Sequence, residues 1–256
     1  MPPLRLAIIG GTGVYDPGGL TGAASQTVVT PYGLAQLLVG SYQGQEVAFV
    51  ARHGTGHSVP PHRVNYRANV WALRQLGVER VVATAAVGSL DPAAPPGSLV
   101  LPDQFLDFTW GRPSTFFDGE SGVVRHQDVT NPYCPELRTI LGQQARVAGW
   151  SCRTGGTLVC TQGPRFETAA EIHAFRLLGG TVVGMTGVPE AVLARELGLC
   201  YATAAIVTNF AAGVSADALS HEEVVAAMAS WAPRLKDVLL AALVLAPASR
   251  GCRCGG

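Results

Sequence analysis

Three continuous apolar segments constrain the fold of this 256-residue chain more than any other feature. They occupy residues 4–9, 80–86 and 200–208, and they lack the alternation of apolar and polar residues that a half-exposed strand shows. Each is therefore predicted to be a buried strand. Segments with helical periodicity lie between the predicted strands, for example at 64–76. Because no low-complexity linker or run of charges divides the chain, we expect a single α/β domain.

The composition excludes several classes of protein. Apolar residues make up 48% of the chain and charged residues only 14%, which fits an extensive core and buried subunit interfaces. With 18 acidic and 18 basic residues, the chain offers no electrostatic reason to bind nucleic acid or an anionic membrane. No apolar run approaches the roughly 18 residues of a membrane helix, and residues 4–9 are too few for a signal-peptide core. We therefore expect a cytoplasmic protein whose partner is a small molecule or another copy of itself.

A glycine-rich turn, Gly10 to Gly13, follows the first predicted strand. Backbone N–H groups in such a turn can converge on an anion, and Thr12 adds a hydroxyl donor. The turn does not match a dinucleotide-binding fingerprint, because Asp16 stands where the third glycine belongs and no acidic residue follows about 20 positions later. No Gly-Lys-Ser/Thr tripeptide occurs, which excludes a P-loop. The turn predicts an anion site without specifying the anion.

A second candidate for anion binding follows a predicted strand at 47–50. Arg52 and His53 come directly after this strand, and His57 follows shortly after them. A guanidinium flanked by imidazoles can clamp an oxyanion such as phosphate. Arg52 by itself would instead favour a local ion pair at the surface, so the interpretation depends on its neighbours.

The stretch at 161–171 joins a predicted strand to a helix predicted at 167–178, and it places Phe166 and Glu167 at the turn between them. A flat ring can stack on Phe166, and Glu167 can accept hydrogen bonds from N–H groups at the edge of that ring. The alternative is that Phe166 packs in the core and that Glu167 lies in the first helical turn, where a negative charge is favourable. These residues alone leave both interpretations open.

Three further candidates lie at the ends of predicted strands. Met185 and Thr186 follow one strand, and Asn209 stands at the end of another. This edge of an open α/β sheet is the usual place for ligands. Packing is the default interpretation of Met185. Glu190, a few residues later, is predicted to complement the dipole at the start of the next helix.

Two histidines outside these strand ends are also candidates. His126 lies in a stretch at 103–131 that is predicted to be irregular, and so long a loop is usually functional or lies at an interface. A lone loop histidine is nevertheless more often incidental. His221 is predicted to begin the last helix, because Ser220 and Glu223 have the spacing of a capping box.

The cysteines predict no metal site. Five of the six lack metal-ligand spacing, and several lie in apolar segments, where a thiol packs as a small apolar group. These five are Cys134, Cys152, Cys160, Cys200 and Cys252. Cys252 and Cys254 can form a C-x-C disulfide, although a free, poorly ordered C-terminal end is the favoured interpretation. No GxSxG or HExxH motif occurs either, which argues against serine-hydrolase and metalloenzyme chemistry.

These features together resemble the trimeric purine nucleoside phosphorylases, a family that includes the methylthioadenosine phosphorylases. The matching segments extend over nearly the whole chain and lie at 9–13, 51–54, 64–73, 163–166 and 184–191. The overall sequence looks closer to the methylthioadenosine branch than to the inosine/guanosine branch. The resemblance implies one three-layer α/β domain at 1–248, with a central mixed, mostly parallel β-sheet flanked by helices, and a tail at 249–256. It also implies a homotrimer or a dimer of trimers.

The resemblance assigns a phosphate site and a sugar site. The residues that would hold phosphate are Thr12, Arg52, His53, the backbone at Ala86, and Thr186. The methylthioadenosine branch has a threonine where this chain has Ala85, so one hydroxyl contact is missing. Ribose would rest against Met185, and the base would stack on Phe166. Phosphate is a co-substrate in this family, and we expect no cofactor.

Glu167 and Asn209 would select the base. Methylthioadenosine enzymes have a serine at the position of Glu167, an aspartate at the position of Asn209 and a second aspartate at the position of Ala211. The 6-oxopurine phosphorylases instead have glutamate and asparagine at the first two positions. An asparagine amide can donate to the purine O6 and accept from N7–H, which becomes protonated as the base leaves. Glu167 would accept from N1–H and, in guanine, from the 2-amino group. Adenine has no N1–H and would leave a buried Glu167 unpaired, which discriminates against adenine nucleosides.

The 5′ end of the sugar gives a second indication. Residues 220–224 resemble the inosine/guanosine enzymes, in which a histidine at the position of His221 hydrogen-bonds the 5′-hydroxyl. Methylthio-specific relatives have an apolar residue there. His126 matches a position that, in the methylthioadenosine branch, reaches the 5′ end of the neighbouring subunit's substrate.

The sequence therefore predicts a pentosyltransferase of purine salvage, with Asn209 and Glu167 as its catalytic residues. It would use phosphate to cleave 6-oxopurine nucleosides, inosine and guanosine, to free base and ribose 1-phosphate. The nearest alternative is an S-methyl-5′-thioinosine or S-methyl-5′-thioadenosine phosphorylase. More distant alternatives are a non-catalytic or redox nucleotide-binding domain built on the glycine-rich turn, and a hydrolase that uses water in place of phosphate.

Overall fold

The computed structural model describes residues 4–15, 18–120, 122–215 and 220–255. The strands in this part of the chain are β1 (Leu6–Gly10), β2 (Thr21–Thr30), β3 (Gly33–Tyr42), β4 (Gln45–Ala51), β5 (Arg80–Ser89), β6 (Leu99–Leu101), β7 (Gln104–Phe108), β8 (Cys152–Thr154), β9 (Thr157–Thr161), β10 (Gly180–Gly184) and β11 (Cys200–Phe210). The helices are α1 (Tyr66–Gln75), α2 (Pro135–Val147), α3 (Ala169–Leu177), α4 (Val188–Glu196) and α5 (His221–Val244). Short 3-10 helices lie at Thr55–His57, Pro61–Arg63 and Arg253–Gly255. Among the described helices, none combines the length and the apolar character needed to span a membrane.

The strands form one mixed sheet. Its order is β2-β3-β4-β1-β5-β10-β9-β7, and β11, β6 and β8 form a branch that joins it through β5. The pairs β1/β4, β1/β5, β5/β11, β9/β10, β7/β9 and β6/β8 are parallel. The pairs β2/β3, β3/β4, β5/β10 and β6/β11 are antiparallel. The prediction of a mixed, mostly parallel sheet in an α/β domain is confirmed.

Strand β5 lies at the centre of this arrangement. Its first residues pair with β1, where Arg80 lies opposite Leu6, and its last residues pair with β10, where Gly88 lies opposite Val183. On its other side it pairs with β11 along its whole length. A strand with neighbours on both sides and layers on both faces has no solvated face, which explains the continuous apolar segment.

Helices cover both faces of the sheet, and alternate residues of β1 enter different cores. Ile8 belongs to a core that includes Leu141 of α2 and side chains of α5. Ile9 belongs to a second core, which includes Leu73 of α1 and side chains of α4. Since successive side chains of a strand point to opposite faces, this division confirms the three-layer architecture.

Helix α3 begins two residues later than the sequence predicts. Thr168 is its N-cap, with the Thr168 hydroxyl accepting a hydrogen bond from the N–H of Glu171. The Glu171 carboxylate in turn accepts from the N–H of Thr168, which completes a capping box. Glu167 therefore precedes the helix, and the alternative that placed it in the first helical turn is wrong. Helix α5 begins at His221 as predicted.

Two segments predicted to be irregular are ordered by long-range contacts. Residues 104–108, within the stretch at 103–131, form β7, which pairs in parallel with β9. The C-terminal end is not free, because Cys254 is buried. The buried guanidinium of Arg80 donates hydrogen bonds to the carbonyls of Pro247 and Ser249. Local sequence predicts neither result, since both depend on partners that are distant along the chain.

Candidate active site

A cavity of about 360 Å³ lies at the ends of β4, β5, β10 and β11, a size typical of small-molecule sites. All the predicted site residues except His126 line it. They are Thr12, Arg52, His53, Ala86, Phe166, Glu167, Met185, Thr186, Asn209 and His221. A larger groove of about 1520 Å³ contains none of these residues. The predicted site residues therefore converge on the smaller cavity.

Arg52 forms a buried ion pair with Glu190. Its Nε and Nη2 donate to the two Glu190 carboxylate oxygens at 2.5 Å and 2.8 Å, and each side chain is only 1% exposed. Although burial alone would lower the pKa of Arg52, the Glu190 carboxylate raises it above its ordinary value. Tyr201 donates its hydroxyl to the same carboxylate at 2.8 Å. The surface ion pair considered from the sequence is thus a buried one, and Glu190 does more than complement a helix dipole.

The glycine-rich turn packs directly against this guanidinium. The Nη1 of Arg52 donates to the carbonyl of Thr84 at 2.8 Å, and the N–H of Gly11 donates to the Thr84 hydroxyl at 2.7 Å. A Cβ atom on Gly11 would lie 2.6 Å from Nη1 of Arg52 and 2.8 Å from the Thr84 carbonyl oxygen. Only glycine leaves room for this approach. Three of the five N–H donors of Arg52 are engaged, so two remain for a ligand.

His53 is held as a neutral imidazole. Its Nδ1 lies 2.8 Å from the carbonyl oxygen of Val59, and because a carbonyl only accepts, Nδ1 carries the proton. Burial, followed by the positive charge of Arg52, lowers the pKa of His53 to about 3. The free Nε2 is then a hydrogen-bond acceptor, suited to a protonated oxygen of a phosphate monoanion or dianion.

Two more histidines extend from His53 towards the mouth of the cavity. The ring centroids of His53 and His57 are 4.5 Å apart, and those of His57 and His221 are 5.6 Å apart. The Nδ1 of His57 lies 3.2 Å from the Tyr15 hydroxyl. Burial, and then the neighbouring His221, lower the pKa of His57. His221 is exposed and lines the cavity from the first turn of α5.

Asn209 is positioned by an irregularity in β11. The register between β5 and β11 shifts between Val207 and Asn209, as in a β-bulge, a feature that re-aims side chains beside active sites. The Thr208 hydroxyl donates to Oδ1 of Asn209 at 2.8 Å, and Nδ2 donates to the Phe210 carbonyl at 2.8 Å. These bonds fix the orientation of the amide. One N–H and one lone pair remain for a ligand.

Glu167 is held by the strand that precedes it. The Thr161 hydroxyl, at the end of β9, donates to Oε1 of Glu167 at 2.5 Å. Burial raises the pKa of Glu167, and the Thr161 hydrogen bond opposes this shift only in part. The second carboxylate oxygen is left to accept from a ligand. Phe166, beside it, is half-buried and lines the cavity.

Arg112 connects the two ligand-facing segments. Its guanidinium donates to the carbonyl of Met185 at 2.8 Å and to the carbonyl of Gln162 at 2.6 Å. It also donates to the Thr161 carbonyl at 3.2 Å. Since Arg112 is buried, one residue from the long loop fixes both the turn before Phe166 and the end of β10.

The comparison with known families agrees with this geometry. The sequence profile of the phosphorylase superfamily matches residues 5–244 of the chain. The chain belongs to this superfamily.

The phosphorylase has close relatives with two kinds of name. It is 56% identical to a probable 6-oxopurine nucleoside phosphorylase of Moorella thermoacetica, with 98% of this chain and 96% of the relative covered. It is 49% identical to a probable S-methyl-5′-thioinosine phosphorylase of Methanothermobacter thermautotrophicus, with 97% of this chain and 87% of the relative covered. Among solved structures, methylthioadenosine phosphorylase from Schistosoma mansoni in complex with adenine matches with a TM-score of 0.91 at 35% identity, covering 96% of this chain and 93% of the other.

The structure also brings forward residues that the sequence analysis of the phosphorylase did not assign to the site. Glu190 and Tyr201 hold Arg52, and Arg112 holds the backbone around the cavity. His57, which the sequence placed beside Arg52 in a candidate oxyanion clamp without a role of its own, also lines the cavity. A charged residue at the start of a helix or in a loop carries no sequence signal of a buried partner, so only the fold identifies these contacts.

His126 lies apart from the other predicted residues of the phosphorylase. It is exposed in the loop after β7 and does not line the cavity of its own chain. The family resemblance predicts that His126 reaches the 5′ end of a neighbouring subunit's substrate, and this role stays a prediction.

Proposed function

We propose that this phosphorylase uses phosphate to cleave 6-oxopurine nucleosides, inosine and guanosine among them, to the free base and ribose 1-phosphate. The observation that carries the proposal is that Glu167 and Asn209 line the same cavity as Arg52 and His53. Glu167 and Asn209 have the hydrogen-bond donor and acceptors that a 6-oxopurine requires, and Arg52 and His53 have the hydrogen-bond donors and acceptor that phosphate requires. The name of the Moorella thermoacetica relative supports the same conclusion.

The hydrogen bonds already made by Asn209 and Glu167 determine what they can offer a base. Asn209 retains one N–H, which would donate to O6, and one lone pair on Oδ1, which would accept from N7–H. Glu167 retains one carboxylate oxygen, which would accept from N1–H. Adenine presents an unprotonated N1 to that oxygen and an amino donor to the Asn209 N–H. Two unfavourable pairings would discriminate strongly against adenine nucleosides.

The phosphate end of the cavity would offer a positive charge and mainly hydrogen-bond donors. Arg52 would give its two remaining N–H groups, and the neutral His53 would accept from a phosphate hydroxyl. Thr12 and Thr186 would add hydroxyl donors beside the backbone at Ala86. Glu190 neutralises the buried Arg52 in the absence of a ligand, so the site is held in position before phosphate enters.

In the proposed reaction, a phosphate oxygen forms a bond to C1′ while the bond between C1′ and N9 of the purine breaks. The electron pair of the broken bond moves into the purine, and N7 takes a proton from solvent. Positive charge develops on the sugar, as in glycoside hydrolysis. Phosphate stabilises the sugar cation, and Asn209 stabilises the departing base at O6 and N7. Phosphate itself is the nucleophile, so the protein contributes position and electrostatics.

Substrate comparison tests the proposal. We would measure kcat/KM for inosine, guanosine, adenosine, methylthioinosine and methylthioadenosine, with and without phosphate. We expect inosine and guanosine to be preferred and turnover to require phosphate. A preference for an adenine nucleoside would refute the roles of Glu167 and Asn209, and turnover without phosphate would indicate a hydrolase.

Replacement of Asn209 tests its role in catalysis. Asn209→Ala should lower kcat on inosine roughly 100-fold or more, by comparison with the loss of one oxyanion donor, and should change KM less. Asn131→Ala is a matched control, because Asn131 is exposed and lies outside the cavity. An unchanged kcat for Asn209→Ala would exclude this role.

S-methyl-5′-thioinosine is the second candidate substrate, and one observation favours it. Val224 is buried and lines the cavity one turn along α5 from His221, so an apolar contact lies beside the histidine. The Methanothermobacter thermautotrophicus relative carries this activity in its name. His221→Ala separates the two candidates, because it should weaken turnover of inosine and leave turnover of methylthioinosine nearly unchanged.

We further infer that the enzyme acts in purine salvage in the cytoplasm, as a homotrimer or a dimer of trimers. The resemblance to trimeric phosphorylases supports this assembly. So do the exposed side chains of Trp110 and Val124, which are 72% and 74% exposed in the long loop and would be covered by a neighbour. Light scattering after size-exclusion chromatography should give three or six chains per particle, and a monomer would contradict the inference.

A further inference from the structure

Four cysteine sulfurs form a compact group outside the active-site cavity. Cys134, Cys200, Cys252 and Cys254 come from three separate parts of the chain, and their Sγ atoms all lie within 4.8 Å of one another. The sulfurs of Cys200 and Cys252 are 3.3 Å apart. Cys134, Cys200 and Cys252 lack metal-ligand spacing in the sequence, and the prediction of no metal site misses this group because spacing along one segment does not report contacts between segments.

The C-terminal segment is fastened over the other two cysteines by polar contacts. Arg80, which is buried, donates to two of its carbonyls and pairs with Glu136 of α2 at 3.1 Å. The second oxygen of Glu136 accepts from the N–H of Gly251 at 2.6 Å. Arg250 donates to the carbonyl of Gly198, just before β11, at 2.7 Å. These contacts hold the C-x-C pair in a fixed position.

The two remaining ligands belong to rigid elements. Cys134 is the N-cap residue of α2. Its N–H donates to the Tyr201 carbonyl at 2.7 Å, which ties it to the start of β11 beside Cys200. Cys134, Cys200 and Cys254 are buried and Cys252 is half-buried, so water has little access to the group.

The dimensions match those of one tetrahedral metal ion. Zinc bonds thiolate sulfur at about 2.3 Å, which sets the six sulfur-to-sulfur edges of a tetrahedron at about 3.8 Å. The observed group spans this value, with one edge of 3.3 Å and none longer than 4.8 Å. No edge has to change by more than about 1 Å to complete the tetrahedron. Tetrahedral four-sulfur sites select zinc among the common divalent metals.

We propose that Cys134, Cys200, Cys252 and Cys254 bind one Zn²⁺ ion, which fastens the C-terminal segment to α2 and β11. On binding, the four thiol protons pass to solvent and four zinc–sulfur bonds form, with no change in oxidation state. The competing outcome is a pair of disulfides. It would divide the four sulfurs into two bonded pairs and leave none of them to bind a metal.

The test uses the full chain, purified without a histidine tag or chelator. Elemental analysis should find about one zinc per chain. After denaturation with a chelator, and without reductant, all six thiols should react with a thiol reagent. Two reactive thiols and no zinc would show two disulfides and overturn the proposal, as would six reactive thiols without zinc.

Variants give a second test. Cys254→Ser should reduce bound zinc to less than about 0.1 per chain, whereas Cys254→His, which keeps a zinc ligand, should retain it. Cys152→Ser is the matched control, because Cys152 is also partly buried but lies outside the group. The loss of zinc should lower Tm by roughly 10 °C, the effect of losing a ligand present at about 1,000 times its Kd in a chain of this size. A Cys254→Ser protein that keeps its zinc would overturn the assignment of this ligand.

Discussion

The buried ion pair between Arg52 and Glu190 allows a sharp test of how the proposed phosphate site is held. Glu190→Gln keeps the shape of the side chain but removes the negative charge and one acceptor oxygen. The carboxylate now accepts two hydrogen bonds from Arg52 and one from Tyr201, and a glutamine amide would direct N–H groups at one of these donors. The guanidinium would then be buried beside a neutral partner.

The size of the effect follows from the burial of the pair. Breaking a buried pair by removing one charge costs about 3–5 kcal/mol, and both side chains are 1% exposed. Glutamine still offers one acceptor, so we expect a loss of about 3 kcal/mol. For a chain of this size, that corresponds to a fall in Tm of about 6–12 °C. If Arg52 binds phosphate as proposed, a misplaced guanidinium also loses charge-assisted hydrogen bonds to it, and a loss of about 1.5–3 kcal/mol per bond raises the KM for phosphate at least 10-fold.

Thermal unfolding and phosphate-saturation kinetics at saturating inosine measure the two effects. Glu136→Gln is the control, since it also breaks an Arg–Glu pair, but the Glu136 side chain is 25% exposed and lies outside the cavity. It should lower Tm without changing the KM for phosphate. Tyr201→Phe, which removes one hydrogen bond to the carboxylate, should have a smaller effect of about 1 kcal/mol. A Glu190→Gln enzyme with wild-type Tm and wild-type phosphate KM would refute the reasoning.

Three further predictions concern charge and space in the cavity. Glu167→Gln should lower kcat/KM for inosine at least tenfold yet raise stability at neutral pH. Because the folded state raises the pKa of this carboxyl group, its contribution to wild-type stability is greatest at low pH and declines as the pH rises through the raised pKa. Gly11→Ala should destabilise the protein by about 1–3 kcal/mol and raise the KM for phosphate, because its methyl group would contact Arg52 and the Thr84 carbonyl. The free energy of unfolding should fall by about 3 kcal/mol as the pH is lowered from 7 to 4. The reason is that the pKa of His53 is lowered to about 3 in the folded state, so only the unfolded chain takes up a proton on this histidine in that range.

Each of these three predictions has a control measurement. The pH dependence of Tm for wild type and Glu167→Gln should converge at low pH, and parallel curves would contradict the assignment. Gly44→Ala, at an exposed turn with open space around it, shows the cost of strained backbone without a clash. His53→Gln should flatten the acid side of the stability curve, whereas His173→Gln, at an exposed position, should not.

Patterns confined to one segment predicted much of the fold. The continuous apolar runs of β1, β5 and β11 indicated strands without a solvated face, since burial on both faces removes the alternation. The anion-binding candidates were predicted in the same way, because a glycine-rich turn and Arg52 each follow a strand directly. Chemistry at the strand ends, with the family resemblance, placed Asn209 and Glu167 in one site before any contact was known.

The tertiary structure decided how these pieces are held. Glu190 lies 138 positions from Arg52 along the chain, and nothing in the local sequence of either residue identifies the other as its partner. The bulge that aims Asn209 arises from the pairing of β11 with β5, and Arg112 reaches two segments at once. The four cysteines meet because the C-terminal segment, which Arg80 and Glu136 help to fasten, folds back onto α2 and β11. Sequence determined which groups are present and which segments form strands, because those depend on local pattern and chemistry. Their partners, charges and orientations depend on contacts between distant segments, which only the folded chain defines.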